Sequence, residues 1–157
     1  MKRILCCLLT FLAFAMPALS ESTYHSVRLE FEDGFSLSIP ADWVSYEVAP
    51  ELQEQGFLYC LGSQDGTRLM YVQLWPSSSA DLNELQSQLE TRDDIILRPT
   101  GSEEESPFLM YNFAEGDCSG CMTLLDGNVL NLLFTPQSDA DNMLIAATVM
   151  ESYQPTA

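Results

Sequence analysis

Cys118-Ser119-Gly120-Cys121 is the stretch of this sequence whose residue types and spacing come nearest to a chemical motif. Two cysteines three positions apart are the spacing of a redox dithiol. In thioredoxin-like enzymes such a pair caps a helix that follows a strand, and the helix dipole lowers the thiol pKa. Here the surrounding residues predict a turn between two strands, and Glu115 and Asp117 stand close by. Their charges oppose a thiolate. Structural pairing is therefore expected ahead of redox catalysis. Cys118 and Cys121 bridging across the turn, with Cys60 left free and buried, is one arrangement. A bridge from Cys60 to either of them is the other.

The remaining reactive residues are sparse. Cys60, Cys118 and Cys121 with the lone His25, some 35 residues before Cys60, make a poor tetrahedral zinc set. His25 falls in a polar lead-in and reads as a surface side chain. One histidine, and no lysine beyond Lys2, leaves most nucleophilic triads and Schiff-base chemistry without a base or an amine. Carboxylates are too many for any spacing to single out a glycosidase pair. Asp139 and Asp141 lack the glycine and distal glutamate of a calcium loop, and read as acidic residues that complement a helix dipole. No catalytic residue, metal ligand or cofactor is expected. Aromatic residues are the other candidates. A sheet face left uncovered could expose Trp43, Tyr71, Trp75 and Tyr111 as a binding patch, although core packing accounts for each taken singly.

These residues must be held by a chain that begins with an address. Lys2 and Arg3 precede an apolar run from Ile4 to Ala15, Pro17 breaks it, and Ala18-Leu19-Ser20 supplies small residues for cleavage after Ser20. The run is short of the ~20 residues that cross a bilayer. Residues 1–20 therefore read as a signal peptide and 21–157 as one exported domain. Removing Lys2 and Arg3 takes the formal net charge from −17 to −19, with four arginines facing 23 acidic residues. Such a field repels phosphate backbones and anionic lipid, which disfavours nucleic-acid and membrane-surface binding and permits a cationic partner. Solubility alone also accounts for it.

Along the domain, Val27, Leu29 and Phe31 alternate with charged residues. After Asp33-Gly34, Phe35, Leu37 and Ile39 alternate with Ser36 and Ser38, which are expected to face water. Trp43 to Val48 continues as extended chain, and Pro50 to Gln55 predicts one or two helical turns stopped at Gly56. Phe57–Leu61 and Arg68–Trp75 predict a second hairpin, its second strand central. Ser78 or Ser79 is expected to cap a helix with Leu82, Leu85 and Leu89 inward. A short strand over Asp94–Arg98 follows, then a solvated loop with Glu103-Glu104-Glu105. Strands over Phe108–Ala114, Met122–Leu125 and Val129–Phe134 come next, the last two joined at Asp126-Gly127-Asn128. Ser138-Asp139-Ala140-Asp141 opens a final helix with Met143, Ala146, Ala147, Met150 and Tyr153 on its inner face. Short turns imply an α+β domain with a mainly antiparallel sheet packed by two amphipathic helices.

The stretch Gly34 to Trp43 (Gly-Phe-x-Leu-x-Ile-Pro-x-x-Trp), the central helix, the Asp126-Gly127 turn, the Phe134-Thr135-Pro136 step and the closing helix together resemble PsbP-like domains. That resemblance spans residues 24–154. It implies an α/β/α sandwich and a tendency towards accessory or binding roles, with no shared catalytic residues. The expected function is an exported acidic binding or accessory domain that recognises a protein or small ligand. The alternative is an extracytoplasmic dithiol oxidoreductase using Cys118 and Cys121.

Overall fold

The period-two pattern of the first segment folds into β1 (Ser26–Phe31) and β2 (Phe35–Pro40), antiparallel with Phe31 opposite Phe35. This is a computed structural model, and it describes residues 25–98 and 107–156. The leader and the Glu103–Glu105 run lie outside the described residues. Next come β3 (Val44–Tyr46), α1 (Pro50–Gln53), β4 (Phe57–Gly62), β5 (Leu69–Pro76), α2 (Leu82–Leu89) and β6 (Ile95–Leu97). The chain then forms β7 (Leu109–Phe113), β8 (Ser119–Leu125), β9 (Asn128–Thr135), α3 (Ala140–Glu151) and β10 (Gln154–Pro155). Asp126 and Gly127 both take positive φ, 47° and 76°, and set Leu125 opposite Asn128 in a two-residue hairpin turn.

Two sheets result. The small one has the order β1-β2-β10 and the large one the order β3-β4-β5-β9-β8-β7-β6. Every strand pairing is antiparallel. The small sheet and α3 lie over one face of the large sheet. There Phe35, Leu37 and Ile39 meet Met70, Val72, Leu132 and Phe134 together with Ile145 and Val149. Among the described residues the other face is covered only in part, by α2, through Leu85 and Leu89 against Leu109, Met122 and Val129. The sheet is thus α+β and antiparallel as expected, in three layers.

Several local expectations are corrected. Ser36 does not face water. β2 is the middle strand of its sheet, so Ser36 is buried, accepting from Arg28 Nη2 at 2.6 Å and meeting Gln154 O at 3.4 Å. The central helix is capped by Asp81 rather than a serine. Its carboxylate accepts from Glu84 N at 2.9 Å, while Glu84 Oε2 accepts from Ala80 N at 2.7 Å. The final helix buries Ala146 and packs Met143, Met150 and Tyr153 against the core as expected, and it also buries Asn142, Ile145 and Val149. Leu144 on its outer side is half exposed, so α3 is not a simple two-faced helix. Helices number three among the described residues, since Pro50 opens the short α1.

Candidate functional site

On the face that α2 half covers, the registers place side chains in rows running across the strands. One row is Phe57, Gln73, Asn131, Met122 and Leu109, from β4 to β7. Its neighbour is Cys60, Tyr71, Leu133, Gly120, Tyr111 and Leu97, from β4 to β6. A β-bulge makes the first row possible. The register shifts between Phe57 and Tyr59, so Phe57 turns to this face while Tyr59 packs in the opposite core. Where α2 ends, the rows line a cleft of about 470 Å³ with Phe57, Trp75 and Phe113 among its aromatic members. Ile95, Met122 and Leu133 add apolar surface, and Gln55, Arg92 and Asp94 come from the flanking loops. This volume falls in the range of small-molecule sites.

A chain of hydrogen bonds crosses the floor. Tyr111 Oη donates to Asn131 Oδ1 at 2.8 Å, Asn131 Nδ2 donates to Gln73 Oε1 at 3.0 Å, and Gln73 Nε2 donates to the Gln55 carbonyl at 2.9 Å. A carbonyl can only accept, so the last bond sets the orientation of both amides in turn. Tyr111 is 1% exposed and Asn131 2%. Burial pushes the Tyr111 hydroxyl well above the ordinary phenol range, which keeps it protonated as the donor. At the rim Arg92 holds Asp94 in a two-pronged ion pair, 2.8 and 2.5 Å. That pair holds the Asp94 carboxyl below its usual range and leaves the rim without net charge.

The Cys-Ser-Gly-Cys motif serves this face in another way. Cys118 immediately precedes β8, and the strand begins at Ser119 rather than after the motif. Cys118 lies on the cleft side, packed with the α2 cluster, whereas Cys121 is buried in the opposite core. Three residues of extended chain span about 10 Å, beyond the ~7 Å between Cα atoms that a disulfide tolerates. Cys60 shares the face of Cys118, but β5 and β9 lie between their strands, a separation of about 14 Å. All three thiols are unbonded, which corrects the expected bridge. Nor does the setting activate them. Burial and Asp117 push Cys118 up to about 11, burial raises Cys121 further, and burial raises Cys60 against a hydrogen bond with Tyr71. Gly120 is what the fold requires from the motif. A Cβ there would lie 2.4 Å from the Tyr111 ring, so the glycine lets that ring lie flat across β8.

Of the four aromatic candidates, Tyr71, Trp75 and Tyr111 share the cleft face and Trp43 packs against the opposite core. Trp75 and Tyr111 line the cleft itself, Tyr111 as a buried floor rather than an exposed patch. His25 is exposed at the start of β1. Asp139 caps α3 and, with Asp141, binds Arg68 at 2.7 and 3.2 Å. No group of three or more histidine, cysteine or acidic residues converges as a metal site among the described residues. No helix among them is long and apolar enough to cross a membrane. A second concavity, about 340 Å³ between α3 and the start of β7, has only Glu151 and Tyr153 as polar members.

Gln55, Gln73 and Asn131 stand in no motif of the sequence. Asn131 did carry a signal, as the polar residue within the apolar run Val129 to Phe134 of a central strand. A polar residue there needs a buried partner.

The order of strands and the helices on both faces of the large sheet define the PsbP-like fold. Among solved structures, the solution structure of cyanobacterial PsbP (CyanoP) from Synechocystis sp. PCC 6803 is similar to this chain. The TM-score is 0.57 at 15% identity, over 87% of this chain and 95% of that one. No protein-family model matches the sequence, and no curated protein matches it.

Proposed function

We propose that this chain is an exported, acidic binding or accessory module, and that the cleft beside α2 is where it binds. The observation that carries this reading is a concave site of about 470 Å³ with aromatic walls and a buried, hydrogen-bonded polar floor. A sheet face needed only for packing has no use for an ordered chain of amides, because apolar residues would fill the space without desolvating polar groups. The basic start, apolar run and small-residue exit of residues 2–20 support export. The surplus of acidic residues supports a neutral or cationic ligand over a phosphate backbone or an anionic lipid surface.

Screening small ring-containing fragments by side-chain amide and indole NMR tests the site. Shifts are expected to cluster on Gln73, Asn131 and Trp75. Clustering at the concavity beside Tyr153, or no clustering at all, would sink the reading. The intact mass of protein recovered from the culture medium or envelope fraction tests export, with a chain starting at Glu21 as the expected product.

A further inference from the structure

We infer that the outer edge of β1 pairs with the same edge of a second copy of this chain, antiparallel and about a two-fold axis, joining two small sheets into one of six strands. This goes beyond the binding reading of the cleft and does not depend on it.

Four strands end the two sheets, and three of them are poor templates for pairing. β3 and β6 have three residues each, and β10 has two, one of them Pro155. Short strands and proline are common guards of a sheet edge. β1 has neither. Its six residues run in unbroken register against β2 with no bulge, proline or lysine, and among the described residues no strand lies on its far side.

The phase of the β1–β2 ladder shows which backbone groups face that edge. The carbonyls of His25 and Phe31 accept from Ala41 N at 2.7 Å and Gly34 N at 3.2 Å, at the two ends of β2. Ser38, opposite Arg28, instead turns its N–H away from β1 and donates to Ser152 Oγ at 2.7 Å. Antiparallel ladders alternate between these two kinds of position. The odd-numbered residues of β1 therefore direct N–H and C=O at β2, while Ser26, Arg28 and Glu30 direct theirs outward.

A second β1 meets those groups with its own Ser26, Arg28 and Glu30, so even-numbered residues must face even-numbered ones. Charge then selects among the registers that remain. Centred on Arg28 or on Glu30, the pairing sets that charge against its own copy. Centred on Phe31 it opposes Glu30 to Glu32, and centred on Val27 it sets Arg28 against Ser26, so that no charges meet. Centred on Leu29 it sets Arg28 opposite Glu30 of the partner subunit, and the two-fold axis repeats the pair. The same register lays Val27, 43% exposed, against Phe31 of the partner subunit, on the side of the sheet that faces the core. The net charge of −19 opposes self-association, and salt screens that repulsion.

Sedimentation velocity of the chain starting at Glu21, from about 10 μM to about 1 mM, reads the equilibrium of so small an interface. A dimer is expected, tightening at least about tenfold between 0.1 and 1 M salt as the screening length falls from about 10 to about 3 Å. Arg28→Glu and Glu30→Arg each set like charges opposite one another across the axis. Each alone is expected to weaken the dimer at least about tenfold, and the two together to restore it. Glu30→Arg is the sharper variant, because Glu30 is exposed and the change moves the net charge from −19 to −17. An association governed by overall charge would tighten; the paired edges predict that it loosens. A monomer at every concentration and salt overturns the proposal. So does a tighter dimer of Glu30→Arg, or a folded double variant that stays monomeric. None of these outcomes bears on the fragment screen of the cleft.

Discussion

The two faces of the seven-stranded sheet are built from the same strands and do opposite things. Beneath the small sheet and α3, β5 and β9 contribute Met70, Val72, Leu130, Leu132 and Phe134, each 1% exposed or less, with Leu74 partly buried beside them. On the other face the alternate positions of those strands are Tyr71, Gln73, Trp75, Val129, Asn131 and Leu133, and α2 is eight residues long. A short helix cannot cover seven strands. What it leaves open is filled by aromatic rings and by amides hydrogen-bonded to one another. The closed face derives its stability from buried apolar area. The open face gives up some of that area for hydrogen-bonded polar groups that floor a cleft.

Neighbouring residues on β9 make this contrast testable, since Leu132 and Asn131 point to opposite faces. Leu132→Ala carries the largest expected effect, a loss of about 2–5 kcal/mol in denaturant unfolding, with the cleft amide signals unchanged while the protein stays folded. A loss below about 1 kcal/mol would mean that the closed face is not the principal core. Gly120→Ala comes next. Its Cβ would press on the Tyr111 ring, and overpacking of this kind costs roughly 1–3 kcal/mol. Combined with Tyr111→Ala the cost should be clearly less than additive, because the ring that suffers the clash is gone. Additive losses would show that the two residues do not share the site in solution.

Asn131→Leu should cost only about 1 kcal/mol, since the added apolar burial offsets the unpartnered Tyr111 hydroxyl. It should abolish binding in the cleft all the same. A variant that lost several kcal/mol while still binding would reverse the roles assigned to the two faces. The smallest effect concerns neither face. Asp139 accepts from Arg68 and from two N-terminal amides of α3, and the Arg68 bond holds its carboxyl below the usual range. A lowered folded-state pKa contributes stability that is present above the ordinary carboxylate pKa and fades as pH falls towards the lowered value. The melting temperature of Asp139→Asn should therefore lie slightly below that of the parent at neutral pH. The gap should close as the solution is acidified through the carboxylate range. A gap that persists in acid would point to lost capping geometry instead of lost charge.

Much of the fold was legible because its determinants are local. Asp126-Gly127 accepts the positive φ angles of a tight hairpin, alternation marks β1 and β2, and the Leu82, Leu85 and Leu89 spacing marks α2. The capping of α2 by Asp81 in place of a serine is a matter of one turn, where several acceptors compete for the same amides. That α3 also buries Asn142, Ile145 and Val149 was not legible, because a helix with apolar residues on most sides has no strong preference of its own.

The candidate site divides in the same way. From its own residues the chain settled the acidic charge, the aromatic content and the strands that would carry any site. Only the tertiary structure decided that Cys118 and Cys121 stand on opposite faces, that a bulge turns Phe57 inward, and that Gln55, Gln73, Asn131 and Tyr111 join in one chain of hydrogen bonds. The physical reason is register. Period-two alternation assigns each residue to a face, but which residues become neighbours across four or five strands depends on pairings between distant segments, as between Ser36 and Gln154, 118 residues apart.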